Sequence, residues 1–176
     1  DPPADSPYTD DDFEFVELYN AQPAPVDLSG FHFADGIEYV FPEGTVIEPG
    51  ARLVIVKNAA AFASRYGSAI VPVGSYDGNL DNDGERLALE GALHEDIFIC
   101  AYDDAWDVMT DGQGFSLVLI DPYDPARDWS NAESWTLSDG LGGSPGEADT
   151  GIPTDGGWQR PGDANQDRRL DISDAV

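Results

Sequence analysis

Apolar and polar residues alternate with a period of two over much of the chain, and this predicts β-strands separated by turns. FEFVELYN, residues 13–20, is the first such run. Phe13 and Phe15 suggest one buried face, Val16 and Leu18 the other, so a bulge or burial on both faces is expected there. FHFADGIEYVF, residues 31–41, predicts a hairpin, with Asp35-Gly36 as a two-residue turn between aromatic-rich arms. ARLVIVK, residues 51–57, is a strong strand signal with Leu53 and Ile55 inward. AIVPVG (69–74), ERLALE (85–90), DIFICAY (96–102) and FSLVLI (115–120) continue the series. Leu87 and Leu89 should face inward, with Arg86, Ala88 and Glu90 turned away, while Phe115, Leu117 and Leu119 share a face. Pro42-Glu43-Gly44, Pro49-Gly50 and Asn82-Asp83-Gly84 mark turns.

A single segment departs from this period. In NAAAFASRYG, residues 58–67, Asn58 suits a helix cap, the alanines favour helix, and Gly67 suits its end. Phe62 and Tyr66 fall on one side of it, so this short helix should pack on a sheet. Turn signals recur about every ten residues, which predicts an all-β fold, an antiparallel β-sandwich with one short helix.

Pattern and composition divide the chain. Residues 1–12 form an acidic, Pro-rich lead, and residues 13–149 hold the sandwich. The core signal fades after Leu141 into a Gly/Pro-rich stretch, with a linker over 150–161 and a separate segment over 162–176. With 41% hydrophobic and 11% aromatic residues, the chain can fill a core. Absence of a starting Met leads to the expectation of a mature fragment of a longer protein.

Charge then narrows the partners. The formal net charge is -27, with Lys57 the sole lysine, and such a field repels phosphate backbones. Nucleic acid is therefore not an expected partner, and no apolar run is long enough for membrane insertion. Most of the carboxylates serve solubility. The one cysteine, Cys100, sits in an apolar strand and is expected to be a small buried hydrophobe.

Several phrases carry a family resemblance: FEFVELYN, VDLSGFHFADGIEYVFPEGTVIEPGARLVIV, GNLDNDGERLAL, DGQGFSLVLIDP and GGSPGEAD. In order and spacing they resemble the bacterial form of the lamin tail domain over roughly residues 13–149. The resemblance implies an immunoglobulin-like sandwich and a non-catalytic module, placed beside enzymatic or anchoring domains in secreted or surface proteins. It also implies a further strand ahead of FEFVELYN, expected to lie before Asp1 and to leave an exposed edge.

The tail carries different chemistry. GDANQDRRLDISDAV places oxygen donors at the alternate positions of an EF-hand-type loop: Asp163, Asn165, Asp167, the Arg169 carbonyl, Asp171 and Asp174. Such a set of short carboxylates suits Ca2+, a hard cation that takes six to eight oxygens. Arg168 replaces the glycine usual at the sharp turn, which should weaken the site. The segment resembles the first repeat of a dockerin-type domain, with its second repeat expected beyond Val176. That resemblance implies Ca2+ binding by the complete repeat and a cohesin-like partner for the complete domain.

Other constellations read as structural. Asp77, Asn79 and Asp81 share the alternate spacing but lack the closing carboxylate, since Ala88 stands at the twelfth position. Asp103, Asp104, Asp107 and Asp111 read as a solvated loop. His32 and His94 are far apart and show no zinc-type spacing. No nucleophile elbow, zincin or phosphate-loop motif occurs. The chain is thus expected to be a non-enzymatic interaction module of an extracellular or cell-surface protein. The alternatives are a carbohydrate-binding module using Trp106, Trp129, Trp135 or Trp158, or the non-catalytic part of a secreted hydrolase.

Overall fold

The computed structural model describes residues 2, 5–107, 109–110, 114–123 and 128–149. Eleven strands and one α-helix appear among them. β1 (Phe15–Tyr19), β6 (Arg52–Val56) and β7 (Gly74–Ser75) form a three-stranded sheet, in which β1 runs antiparallel and β7 parallel to β6. A four-stranded sheet follows the order β4 (Tyr39–Val40), β3 (His32–Asp35), β8 (Arg86–Glu90), β9 (Asp96–Ala101). β2 (Val26–Asp27) pairs with β5 (Val46–Ile47), and β10 (Leu117–Leu119) pairs with β11 (Trp135–Leu137).

The main core lies between the two larger sheets. Leu53 and Ile55 of β6 meet Phe33 of β3 and Leu87 and Leu89 of β8, joined by Leu28, Ile37, Phe41, Ile47 and Tyr76. Val16 and Leu18 of β1 pack on the same cluster. This is the sandwich that the alternating pattern predicts.

A second cluster covers the other face of β6. Val54 and Val56 are buried against Phe62 of α1 (Ala59–Tyr66), with Phe15, Tyr66 and Ile70 alongside. β6 is therefore buried on both faces, and its partner β1 is partly covered on both: Phe15 looks to the helix, Val16 and Leu18 to the sandwich. Burial on both faces, rather than a bulge, resolves the mixed pattern of FEFVELYN. Likewise Ala88, expected to face away, is buried along with Leu87 and Leu89.

α1 forms where the sequence places it. The Asn58 side chain accepts hydrogen bonds from the Ala60 and Ala61 amides at 3.0 and 3.2 Å, satisfying two otherwise orphaned donors. Gly67, at φ 77°, ends the helix while its amide donates to the Ala63 carbonyl. The Phe62 and Tyr66 rings lie 4.5 Å apart, and Phe62 meets Phe15 edge-on at 6.0 Å.

Three expected elements differ. The hairpin between β3 and β4 turns through residues 34–38, not through Asp35-Gly36 alone, because His32 pairs with Val40 and Phe33 with Tyr39. β3 shifts register after Phe33 so that Asp35 pairs with β8, and Ile37 drops into the core. The stretch 69–74 yields only the first residue of β7, since Pro72 has no N–H to give a ladder. β11 had no strand signal in the sequence. Its partner β10 is shorter than FSLVLI suggests.

Residues 141–149, expected to begin the linker stretch, instead lie against the sandwich. The Gly142 amide donates to the Gly114 carbonyl, and Tyr66 Oη to the Gly142 carbonyl. The Gly146 amide donates to Glu17 Oε2 at 2.5 Å. Among the described residues, no helix is long and apolar enough to cross a membrane.

Candidate functional site

β5, β6 and the segment leading into β7 frame a shallow groove of about 430 Å3. The amide of Val73 donates to the Val54 carbonyl, which fixes residues 69–73 beside β6 without making them a strand. Val71 and Val73, on either side of Pro72, are both exposed. Val46, Val71 and Val73 line the groove and are 47%, 80% and 39% exposed. Ile70 and Leu53 also line it, and Glu48 and Arg52 supply its charged members. Exposed side chains gathered along one groove mark a contact surface more than scattered ones do.

A second concavity, of about 400 Å3, is acidic: Asp11, Asn79, Leu80, Asp81, Asn82, Asp83 and Glu85 line it. Here the carboxylates of Asp11, Asp81 and Glu85 are spent on the chain itself. Asp81 Oδ1 accepts from the Asp83 amide, and Glu85 Oε1 from the Asp81 amide and Tyr102 Oη. Burial together with Glu85 pushes the Tyr102 hydroxyl above the usual phenol range and keeps it a donor. Asn82-Asp83-Gly84 forms the turn into β8, with Gly84 at φ 102° packed on the backbone of Tyr102 and Asp103. Of the alternately spaced residues, Asp77 pairs with Glu38 in a β-bridge, the Asn79 side-chain amide donates to Asp11, and Asp81 builds the turn.

The acidic loop after β9 behaves likewise. Asp103 and Asp107 accept from the amides of Ala105 and Met109, two residues on in each case. Asp111 lies outside the described residues.

Three of the four tryptophans are described, and all are half-buried. Trp129 packs on Phe98 at 4.7 Å, and Trp106 and Trp135 lie near each other at 6.5 Å. Trp135 Nε1 donates to the Trp129 carbonyl at 2.7 Å. Trp106 and Trp135 therefore share one location, and none of the three is an open platform. Trp158 is outside the described residues.

Cys100 is buried on the core side of β9, opposite Leu87. Its thiol donates to the Trp129 carbonyl at 3.1 Å, and burial pushes its pKa up to about 12. A thiol held so firmly protonated is a poor nucleophile.

The histidines come together, which the sequence did not foretell. His32 on β3 stands opposite Glu90 on β8 in the strand register, and His94 follows Glu90 through the β8–β9 turn. The two imidazoles meet edge-to-face, with centroids 4.8 Å apart. Strand pairing brings residues 32 and 90 together, and no local spacing encodes that. The proposed calcium donors Asp163, Asn165, Asp167, Arg169, Asp171 and Asp174 lie outside the described residues.

Comparison with known proteins agrees with the strand region. Residues 1–124 match the model of the family described as Lamin Tail Domain. No curated protein matches the sequence. The match covers more than half of the chain, and the sandwich with its single short helix is the architecture it calls for. The chain belongs to the lamin tail domain family.

Proposed function

We propose that this domain is a non-catalytic interaction module of a larger secreted or cell-surface protein. The valine-lined groove beside β6 carries the reading. Its occupant is a protein segment that offers apolar side chains to Val46, Val71 and Val73 and basic residues to the surrounding acidic surface. Membership of a non-catalytic fold family supports this. So does the placement of the reactive groups: Cys100 is buried and protonated, and both histidines engage Glu90 rather than a serine or cysteine.

A photo-crosslinking residue placed at position 71 tests the groove on cells of the parent organism. One dominant protein adduct is expected, and Val73→Asp should remove it. A diffuse set of adducts, or an adduct indifferent to Val73→Asp, would sink the reading.

The dockerin-like tail belongs to the same proposal. Asp163, Asn165, Asp167, Asp171 and Asp174, with the Arg169 carbonyl, bind Ca2+ and lead to a cohesin-like partner. The donor spacing supports this, and it agrees with an extracellular setting where calcium is plentiful. Calorimetric titration with calcium of a chain carrying the complete dockerin-like domain should show binding that Asp167→Ala weakens. Identical isotherms for the two proteins would reject the loop.

A further inference from the structure

We propose that His32, Glu90 and His94 form a divalent transition-metal site of the zinc class, with one coordination position open to solvent. The three side chains converge from two strands and a turn. β3 and β8 pair so that His32 and Glu90 stand opposite each other. The β8–β9 turn then carries His94 back over the same carboxylate. Two backbone bonds set that turn, from the Gly91 amide to the Glu95 carbonyl at 2.8 Å and from the His94 amide to the Gly91 carbonyl at 2.9 Å.

The distances suit a metal. Glu90 Oε2 lies 3.3 Å from His32 Nε2 and 3.0 Å from His94 Nδ1. One ligand atom from each of the three residues falls within 4.8 Å of the others. Tetrahedral zinc with ligand arms of roughly 2.0–2.2 Å sets its ligands about 3.3 Å apart. Two of the separations are already near that length, and rotation of the exposed His94 ring closes the third.

The donor set selects the metal. Two imidazole nitrogens and one carboxylate oxygen suit Zn2+ and its neighbours, whereas Ca2+ needs six to eight oxygens. Among the described residues, no other group of His, Cys, Asp and Glu side chains converges in this way. The overall charge of -27 raises the local concentration of any cation.

Access and backbone agree. His94 is 76% exposed at its side chain, against 20% and 23% for His32 and Glu90, so the fourth position faces solvent. His94 has φ 63°, the only positive φ at a non-glycine residue among those described. A glycine or asparagine would hold the same turn with less strain, yet a ligand stands there. The nearby Glu95 carboxylate is turned onto the turn's backbone, where it accepts from the Leu93 amide at 3.0 Å. With three protein ligands, the open position takes water or a side chain from another molecule.

The test is calorimetric titration of the 176-residue chain with Zn2+ in the presence of excess Ca2+, beside the variants His94→Gly and His32→Gln. Glycine suits φ 63° and keeps the turn, so His94→Gly separates ligation from folding. One Zn2+ per chain is expected, insensitive to calcium, with affinity at least about tenfold lower in each variant, since even the loss of a ligand's supporting partner costs that much. Co2+ should give the visible bands of a four-coordinate ion in the parent and lose them in His94→Gly. Coincident isotherms for parent and His94→Gly, or no zinc uptake by the parent, would overturn the proposal.

Discussion

Single residues show where chemistry can be read from a sequence and where it cannot. Cys100 was legible: an apolar strand surrounds it, and the structure adds only the Trp129 carbonyl that receives its S–H. The turn-forming aspartates were legible as well, because an Asx turn is local and needs only the next two residues. His94 was not. Its backbone conformation is imposed by the β8–β9 turn, and its partner His32 arrives through pairing of β3 with β8. Glu17 is a third kind. Its carboxylate faces Arg52 at 3.1 Å and the Gly146 amide at 2.5 Å, partners 35 and 129 positions away. Contacts of that range have no signature in local spacing.

At the scale of elements, local encoding decided what could be foreseen. α1 carries its own cap, its own stop and an aromatic pair one turn apart, so its limits follow from residues 58–67 alone. β6 was foreseen as a strand but only half understood. Its inward Leu53 and Ile55 were plain, yet Val54 and Val56 are equally buried because α1 covers the sheet's other face. Phe62 is the side chain that joins helix and sheet. Phe62→Ala is expected to cost about 3–5 kcal/mol, read as a lower denaturant midpoint at unchanged slope. A loss under about 1 kcal/mol would mean that the helix is not held by this cluster. β11 and the β3–β4 connection escaped the sequence for a common reason. Both are set by partners, β10 in one case and β8 in the other, rather than by their own alternation.

For the whole molecule, acidity is the dominant property, and it gives stability a definite pH dependence. Burial pushes the Glu17 carboxyl above its ordinary value of 4.5, against the Gly146 amide and Arg52. Burial likewise raises Glu14, against the Leu80 amide and the Tyr76 hydroxyl. A group raised in the folded state favours folding below its unfolded value and loses that contribution as pH rises through its folded value. Asp12, Asp27 and Asp35 are lowered from 3.8 by hydrogen bonds to Thr9, Ser29 and Arg86 respectively, so their support is lost only at more acidic pH. Relief of self-repulsion adds to the same trend. The melting temperature is therefore expected to rise as pH falls from 7 toward about 5, with a shallower rise in Glu17→Gln. Scanning calorimetry across that range checks it, and a steady fall in melting temperature would contradict the assignment.

The packing of residues 141–149 has a mechanical meaning. The Gly146 amide is held by Glu17 in the middle of β1, and the Asp149 carboxylate accepts from the Asp139 amide and from Ser144 Oγ. A tug applied beyond Asp149 is thus delivered to the first strand of the sandwich, where the ladder from Phe15–Val56 to Tyr19–Arg52 shares it. The bond from the Asp139 amide to Asp149 passes the rest to the end of β11 (Trp135–Leu137). In a module that joins neighbours under tension, residues 139–149 work as a splitter that spreads a pull over two sheets.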